Sequence, residues 1–559
     1  MSAPLPYEIL SYIAKCIDRN TQLTCALVCR HWTEPFLNAY WNFPLINGTA
    51  LKSLCKKTNR NNVHLRNLHR TRGLNIYDLT EKDMKNFPKL QQIYQNITRI
   101  KYTESTRFEP ILSTIDWAPW KTVIHLEIDY DYTWTDPVED ILFKLSAMHS
   151  LVHLIFDTSS AHMDDLKGLH LSWGDMEQLH GHFPRLEYLE TNCLLTPMSY
   201  RVLERVLELP PASNIKHVRF DNDAVSTPWM FYFACKYPNL ETMRFVEGDR
   251  EPEDVERDFQ SKYYQGDLLI LSTLDRFFPC LKTAHIFTES WNGWPFSLFT
   301  KSLKHFGVKL EFLVYNLNIY SADWLALSNE CLEHVASSIR IMYIKWGENM
   351  IDKRITDDFV SCPSLIELHL YTRSQFEIDV ILDKCPELRI FDIDIDGGDW
   401  FENGQLQLDM PFSQLSILTL AEFYHHYKRT FNLFAFEQTG DSSTDTSANL
   451  LEQTDQLQLP HLKWYHVCLD RSSGKEKPAI WELGSQDIDS VKKYHENYFE
   501  NKQHDIIQEE EQEKAKKTSD TRLVPRSDWK RDLRCGIIIV RVKSVEYFIF
   551  EGVPVTHDH

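Results

Sequence analysis

The chain has 559 residues with 60 Lys and Arg against 80 Asp and Glu, a formal charge of −20 and a pI near 5.6. That length exceeds what one ordinary core supports, so it implies several domains or a repeat array that grows in one dimension. A hydrophobic share of 43% and an aromatic share of 13% exclude a mostly disordered acidic chain, and the acidity argues against a general nucleic-acid binder.

The N-terminus lacks a basic segment followed by an apolar core, and no stretch approaches the roughly 20 apolar residues of a membrane span. A cytoplasmic or nuclear location is therefore expected, without a membrane partner. The twelve cysteines are scattered with no Cys-x-x-Cys pair, as expected for reduced core thiols, and neither a metal nor a cofactor is expected.

The first forty residues read as three short helices. Pro4 and Pro6 suit a helix start, and Leu10, Ile13, Ala14 and Ile17 follow at one-face spacing. A second helix is expected over about residues 21–32 and is apolar nearly all round; a third begins near Thr33 and Pro35. So short a segment cannot cover such a surface from within. Either the rest of the chain covers it, as a cap, or a second protein docks there.

The run Leu5-Pro6-Tyr7-Glu8-Ile9-Leu10, then Ile13, then Ala26-Leu27-Val28-Cys29-Arg30-His31-Trp32 and Trp41, resembles an F-box. The resemblance implies docking on the Skp adaptor of a cullin-based ubiquitin ligase. It implies that Leu5, Pro6, Ile9, Leu10, Ile13, Leu27, Val28 and Trp32 form the adaptor-facing and core set.

Residues 46–85 read as a basic connector and the entry to the repeats; Lys52 to Arg72 carries seven Lys or Arg and no acid. A phrase of one bulky residue or Cys, then Pro, any residue and Leu recurs seven times: Phe87–Leu90, Phe183–Leu186, Tyr237–Leu240, Phe278–Leu281, Cys362–Leu365, Cys385–Leu388 and Leu459–Leu462. The Leu usually opens a string alternating like one face of a strand, as in Leu365, Leu368 and Leu370. Anchors at 123, 151, 186, 215, 240, 281, 310, 339, 365, 388, 415 and 462 give mostly 23 to 29 residues per unit. One strand, a turn and a helix fit that period, and such units must stack in parallel. This pattern resembles leucine-rich repeats, and the whole chain resembles F-box/leucine-rich-repeat proteins.

The expected architecture is thus α/β: an F-box-like module over 1–45, the connector, an irregular solenoid over 86–470 with parallel strands on the concave side and helices outside, a charged loop or insertion over 471–535, and a C-terminal strand pair turning near Ser544 with a tail over 536–559. The 471–535 segment is expected to hold a strand-like run from Pro478 to Leu483 and then an inserted loop or exposed helix from about Ser485, with the late strands forming a β cap on the solenoid. The acidic run from Glu247 to Asp258 and the polar run from Glu437 to Gln458 read as exposed loops.

Imitations of catalytic motifs fail on chemistry. Asp392 to Gly397 opens like a calcium loop, but the twelfth position is Asn403 where a bidentate Glu is needed. Gly440-Asp441-Ser442-Ser443 lies in a polar loop, and Ser473-Gly474-Lys475 lacks the upstream Gly of a phosphate loop. A non-catalytic receptor is therefore expected rather than an enzyme. Its substrate, an unidentified protein, would contact strand residues between the anchors: Arg219, Arg244, Tyr343, Lys345, His369, Tyr371, Asp392, Asp394 and Trp464, with Glu127, Asp129, His153, Tyr188, Glu190, His217, His285, Glu367 and His466 on the same pattern. A leucine-rich scaffold with the N-terminal helices as a cap is the alternative.

Overall fold

In the computed structural model the described residues are 5–56, 62–104, 115–130, 138–157, 170–220, 226–246, 259–288, 294–317, 330–346, 360–372, 378–397, 405–425, 429–430, 433–438, 462–470, 477–500, 537–550 and 552–555. The chain divides into two compact units, Met1–Gly248 with Ser261–Leu281, and Asp249–Gln260 with Lys282–His559. Both are mixed α/β and built on mostly parallel sheets.

The first unit opens with three helices, α1 (Tyr7–Cys16), α2 (Arg19–Ala26) and α3 (Arg30–Asn42). Asp18 starts α2 by accepting from the backbone N–H of Asn20 and Thr21, at 2.9 and 3.0 Å. The second helix is shorter than expected. Leu27 and Val28 close a tight turn through i→i−3 bonds to Thr24 and Cys25, Cys29 is extended, and Trp32 therefore belongs to α3.

Parallel strands follow: β1 (Leu45–Ile46), β2 (Gly73–Tyr77), β3 (Arg99–Glu104), β4 (His125–Tyr130) and β5 (His153–Asp157), then a short β6 (His170–Leu171), β7 (Tyr188–Thr191), β8 (Leu194–Leu195), β9 (His217–Phe220) and β10 (Thr242–Val246). The sheet runs β1-β2-β3-β4-β5-β7-β9-β10 in parallel, while β6 pairs with β8 apart from it. The stack thus begins at Leu45, well ahead of residue 86. Leu126, Leu154, Leu189, Val218 and Met243 lie in register and are all buried, so the strand alternation places one apolar row under the sheet.

The recurring phrase has a local explanation. In five of its copies the Leu N–H donates to the carbonyl three residues back: Leu186 to Phe183, Leu240 to Tyr237, Leu281 to Phe278, Leu365 to Cys362 and Leu388 to Cys385, at 3.1–3.2 Å. Each is a β-turn with Pro at its second position, where the ring's fixed φ is already correct. The Phe87 copy is different. Pro88 sits in the first turn of a helix, Phe87–Ile93, where its missing N–H costs nothing. Of the Leu459 copy, residues 459–461 lie outside the described residues.

The second unit continues the plan with β11 (Thr283–Thr288), β12 (Phe312–Leu317), β13 (Ile341–Trp346), β14 (Glu367–Thr372), β15 (Ile390–Gly397) and β16 (Gln405–His425), all parallel. Then come β17 (Arg429–Thr430), β18 (Leu433–Gln438), β19 (Lys463–Asp470), β20 (Lys477–Glu482), β21 (Ile537–Phe550) and β22 (Val553–Val555). Three expectations change here. Residues 537–550 form one continuous strand with no turn at Ser544; it lies parallel to β16 across a bulge between Met410 and Gln414. The strand opened by Leu462 is antiparallel to β18 and β20, so it is not a further stacked unit. The strand-like run from Pro478 lies in β20, and the charged segment after it opens with a helix, Ser485–Glu500, that is packed rather than wholly exposed: its Val491 and Ile488 lie on Leu433, Ala435, Trp464, Ile537 and Ile539.

Candidate functional site

The N-terminal module has a very small core. Leu10, Ala14, Ala26 and Phe36 are buried, with Ile13, Ile17, Cys25, Trp32, Leu37 and Ala39 packed partly against them; Trp32 stacks on Phe36 at 5.4 Å. Across the hairpin, Gln22 Nε2 donates to the Ala14 carbonyl at 2.7 Å and Thr33 Oγ1 to that of Ala26 at 2.9 Å. These contacts consume one side of the helices. On the other side Leu5, Ile9, Leu27 and Val28 remain 44%, 47%, 87% and 63% exposed, and Tyr12 is exposed as well. The set named from sequence therefore divides: Leu10 is core, Ile13 and Trp32 are half-buried supports, and Leu5, Pro6, Ile9, Leu27 and Val28 are presented to solvent. Apolar side chains this exposed, grouped on one small module, mark a protein-docking surface.

A different surface of the module meets the segment just ahead of β2. Arg70 grips the Glu34 carboxylate with both guanidinium nitrogens, at 2.5 and 2.9 Å, and also bonds Asn38. That bidentate pairing holds the Glu34 carboxyl below its ordinary range. Arg19 lies 4.4 Å over the Tyr40 ring and donates to the Phe43 carbonyl at 3.1 Å. Part of the basic connector is thus spent on structure, including Lys52, which pairs with the buried Asp83 at 2.9 Å.

Residues 4–33 match the family model of the F-box domain. Among curated proteins, none matches the chain. The F-box match covers α1, α2 and the turn carrying Leu27 and Val28, so the exposed apolar side chains belong to the F-box itself.

The open strand faces form a second candidate surface. In the first unit Arg99, His125, His153, Tyr188 and His217 lie in one cross-strand row, with rings 5.4, 5.5 and 6.0 Å apart from His125 to His217. Burial first, then the Arg99 and His153 charges, lowers the His125 pKa to about 4, and burial lowers that of His153. The next row carries Lys101, Glu127, Ile155, Glu190, Arg219 and Arg244. Glu127 pairs with Lys101 and Arg99, and Glu190 with Arg219 at 2.8 Å. Arg99 and Lys101 lie ahead of the first expected anchor at 123 and so outside the expected face; the alternation of Leu74 with Ile76 and Ile100 with Tyr102 is the sequence signal for them.

In the second unit the equivalent rows bring together Tyr343, His369 and Asp392, and Lys345, Tyr371 and Asp394. Tyr343 and His369 stack at 3.8 Å with rings 5° apart. His369 Nδ1 meets Asp392 at 2.9 Å and Nε2 meets Glu367 at 2.6 Å; the Tyr343 hydroxyl donates to the same Glu367 oxygen at 3.2 Å. Only the protonated ring can donate at both nitrogens. Burial works against that charge, but the two carboxylates outweigh it and the His369 pKa is raised.

Trp464 and His466 do not join this surface. Trp464 is 1% exposed and His466 is fully buried, because the helix Ser485–Glu500 covers one face of β18, β19 and β21. On the other face Phe434, Tyr465, Phe548 and Phe550 stack together. A strand covered on both sides has no open face, whatever its alternation. Asp392 to Gly397 lies in β15, paired with β14 and β16, and among the described residues no group of three or more His, Cys, Asp or Glu could hold a metal. The Gly440 and Ser473 motifs and the loop from Glu247 to Asp258 lie outside the described residues.

Proposed function

We propose that this chain is the substrate-recognition subunit of a cullin-type ubiquitin ligase, and that its stacked units are irregular leucine-rich repeats. The F-box docks on the Skp adaptor, and through it on a cullin, in the cytoplasm or nucleus; the open strand faces hold a protein substrate. The mechanism is proximity: the chemistry resides in other subunits, and this chain raises the local concentration of substrate near the conjugating enzyme.

The observation that carries this reading is the presentation of Leu5, Ile9, Leu27 and Val28 on a module matched as an F-box. It also favours docking over capping. The Glu34 and Asn38 side of α3 meets Arg70, just ahead of β2, which leaves the apolar patch available. Co-purification of the full-length chain with the Skp adaptor tests it. Recovery of a stoichiometric complex is expected; failure of folded, full-length protein to bind the adaptor overturns it.

A further inference from the structure

We propose that Glu367, His369 and Asp392 form a proton-operated latch on the open face of β13–β15: the charged imidazole ties β14 to β15, and the neutral imidazole keeps Glu367 and releases Asp392. The latch rests on its own geometry and stands or falls independently of the receptor reading.

The closed form is the one seen. His369 Nδ1 lies 2.9 Å from Asp392 and Nε2 lies 2.6 Å from Glu367. A ring bonded to a carboxylate at each nitrogen donates at both and therefore carries its proton. Tyr343 lies parallel to the ring at 3.8 Å and holds its plane in place. Once the ring is neutral, one nitrogen turns a lone pair towards a carboxylate oxygen at hydrogen-bond distance. That contact becomes repulsive, so one of the two carboxylates must move.

The neighbours decide which. The Glu367 oxygen that faces Nε2 also accepts from the Tyr343 hydroxyl at 3.2 Å, and the Glu367 side chain is 22% exposed against 33% for Asp392. Glu367 is thus pinned from two sides, whereas Asp392 borders solvent. The remaining proton stays on Nε2, towards the fixed acceptor, and Asp392 turns to water, where a carboxylate is well solvated.

The ionisable groups around the ring are Tyr343 and Lys345 on β13, Glu367 and Tyr371 on β14, and Asp392 and Asp394 on β15. The matching positions on β12 and β16 hold Val314, Asn316, Thr419 and Ala421, which do not titrate. Lys345 lies over the Tyr371 ring at 4.6 Å, and Asp394 has an interaction of its own. Burial opposes the charge on His369, but Asp392 and Glu367 outweigh it and raise the pKa. Release of Asp392 therefore falls above the ordinary imidazole value near 6.5. Whatever rests on this face meets a bridged row below the transition and a solvated Asp392 above it.

Carboxyl footprinting of the full-length chain tests the latch. Carbodiimide-activated coupling of an amine is read by mass spectrometry between pH 5.5 and 9, with the exposed Glu387 as internal reference, and a carbon-bound proton NMR titration of the same samples times the His369 step. Relative to Glu387, labelling of Asp392 should rise about two- to fivefold as His369 loses its proton, while Glu367 stays unchanged. His369→Gln should make the Asp392 ratio independent of pH. Tyr343→Phe keeps the stacked ring but removes the hydroxyl that pins Glu367, and should transfer part of the rise to Glu367. Four results overturn the latch: a constant Asp392 ratio across the His369 transition, no transition in this range, a rise at Glu367 in place of Asp392 in the unsubstituted chain, or a pH-dependent ratio that survives His369→Gln. Adaptor binding bears on the receptor reading alone.

Discussion

Leu10 and Leu27 lie in the same F-box at opposite extremes of burial, and substituting each in turn separates folding from docking. Leu10 is fully buried among Ala14, Ala26 and Phe36, and truncation to Ala removes apolar area and leaves a cavity, together costing about 2–5 kcal/mol. A module whose core cluster holds four buried side chains among the described residues cannot absorb that loss, so Leu10→Ala should abolish adaptor binding by unfolding α1 to α3. Leu27 is 87% exposed, so Leu27→Asp should change stability by no more than about 0.5 kcal/mol. At an interface the same change removes about 2–3 kcal/mol of Leu burial, and the desolvated carboxylate adds to the cost. The sum exceeds about 3 kcal/mol, or more than a hundredfold in Kd. Isothermal titration against the Skp adaptor, with circular dichroism melts of the same samples, reads both quantities. Wild-type affinity for Leu27→Asp would refute the assignment of the docking face; a melting loss matching that of Leu10→Ala would refute the burial argument behind it.

The histidines of the two open faces should respond to pH in opposite senses. The His125 pKa is depressed to about 4, so between pH 6.5 and 4 the unfolded chain binds the extra proton and the first unit loses stability as the solution is acidified. His125→Gln should flatten that slope, by at most about 3 kcal/mol over the window, in denaturant titrations across pH. The His369 pKa is raised. Its contribution is therefore fully present below its unfolded value near 6.5 and is lost as pH rises through the folded value, so His369→Gln should destabilise more at pH 5.5 than at pH 8.5; a carbon-bound proton NMR titration locates the transition. Lys236 is 4% exposed and pairs with Glu177 at 2.6 Å and the Pro210 carbonyl at 2.9 Å. Lys236→Met leaves Glu177 without its cation and should cost about 3–5 kcal/mol in chemical denaturation, part of it recovered by adding Glu177→Gln.

Sequence alone located the repeat period, because each unit must bury the same strand positions and the same turn must follow each helix. The strand positions it expected to be open, from His153 to Asp394, are half-buried or exposed. The F-box was legible too, but as a list whose members could not be sorted. Leu10 and Leu27 are the same residue type; only the packing of α1 and α2 against α3 decides that one is core and the other is presented. Alternation failed where a second layer arrives from far along the chain. Trp464 has the spacing of an open-face residue, and a helix more than twenty residues later covers it.

Short-range physics fixed the turns, the caps and the side of each strand that is buried. Partners between elements depend on how segments 23 to 36 residues apart are placed: His369 with Asp392 and Lys101 with Glu127 across strands, Arg70 with Glu34 between a turn and α3. Those pairings set how the charges on each face are matched. Local sequence specifies which side chains a strand can offer, whereas only the assembled sheet determines which of their charges are already neutralised.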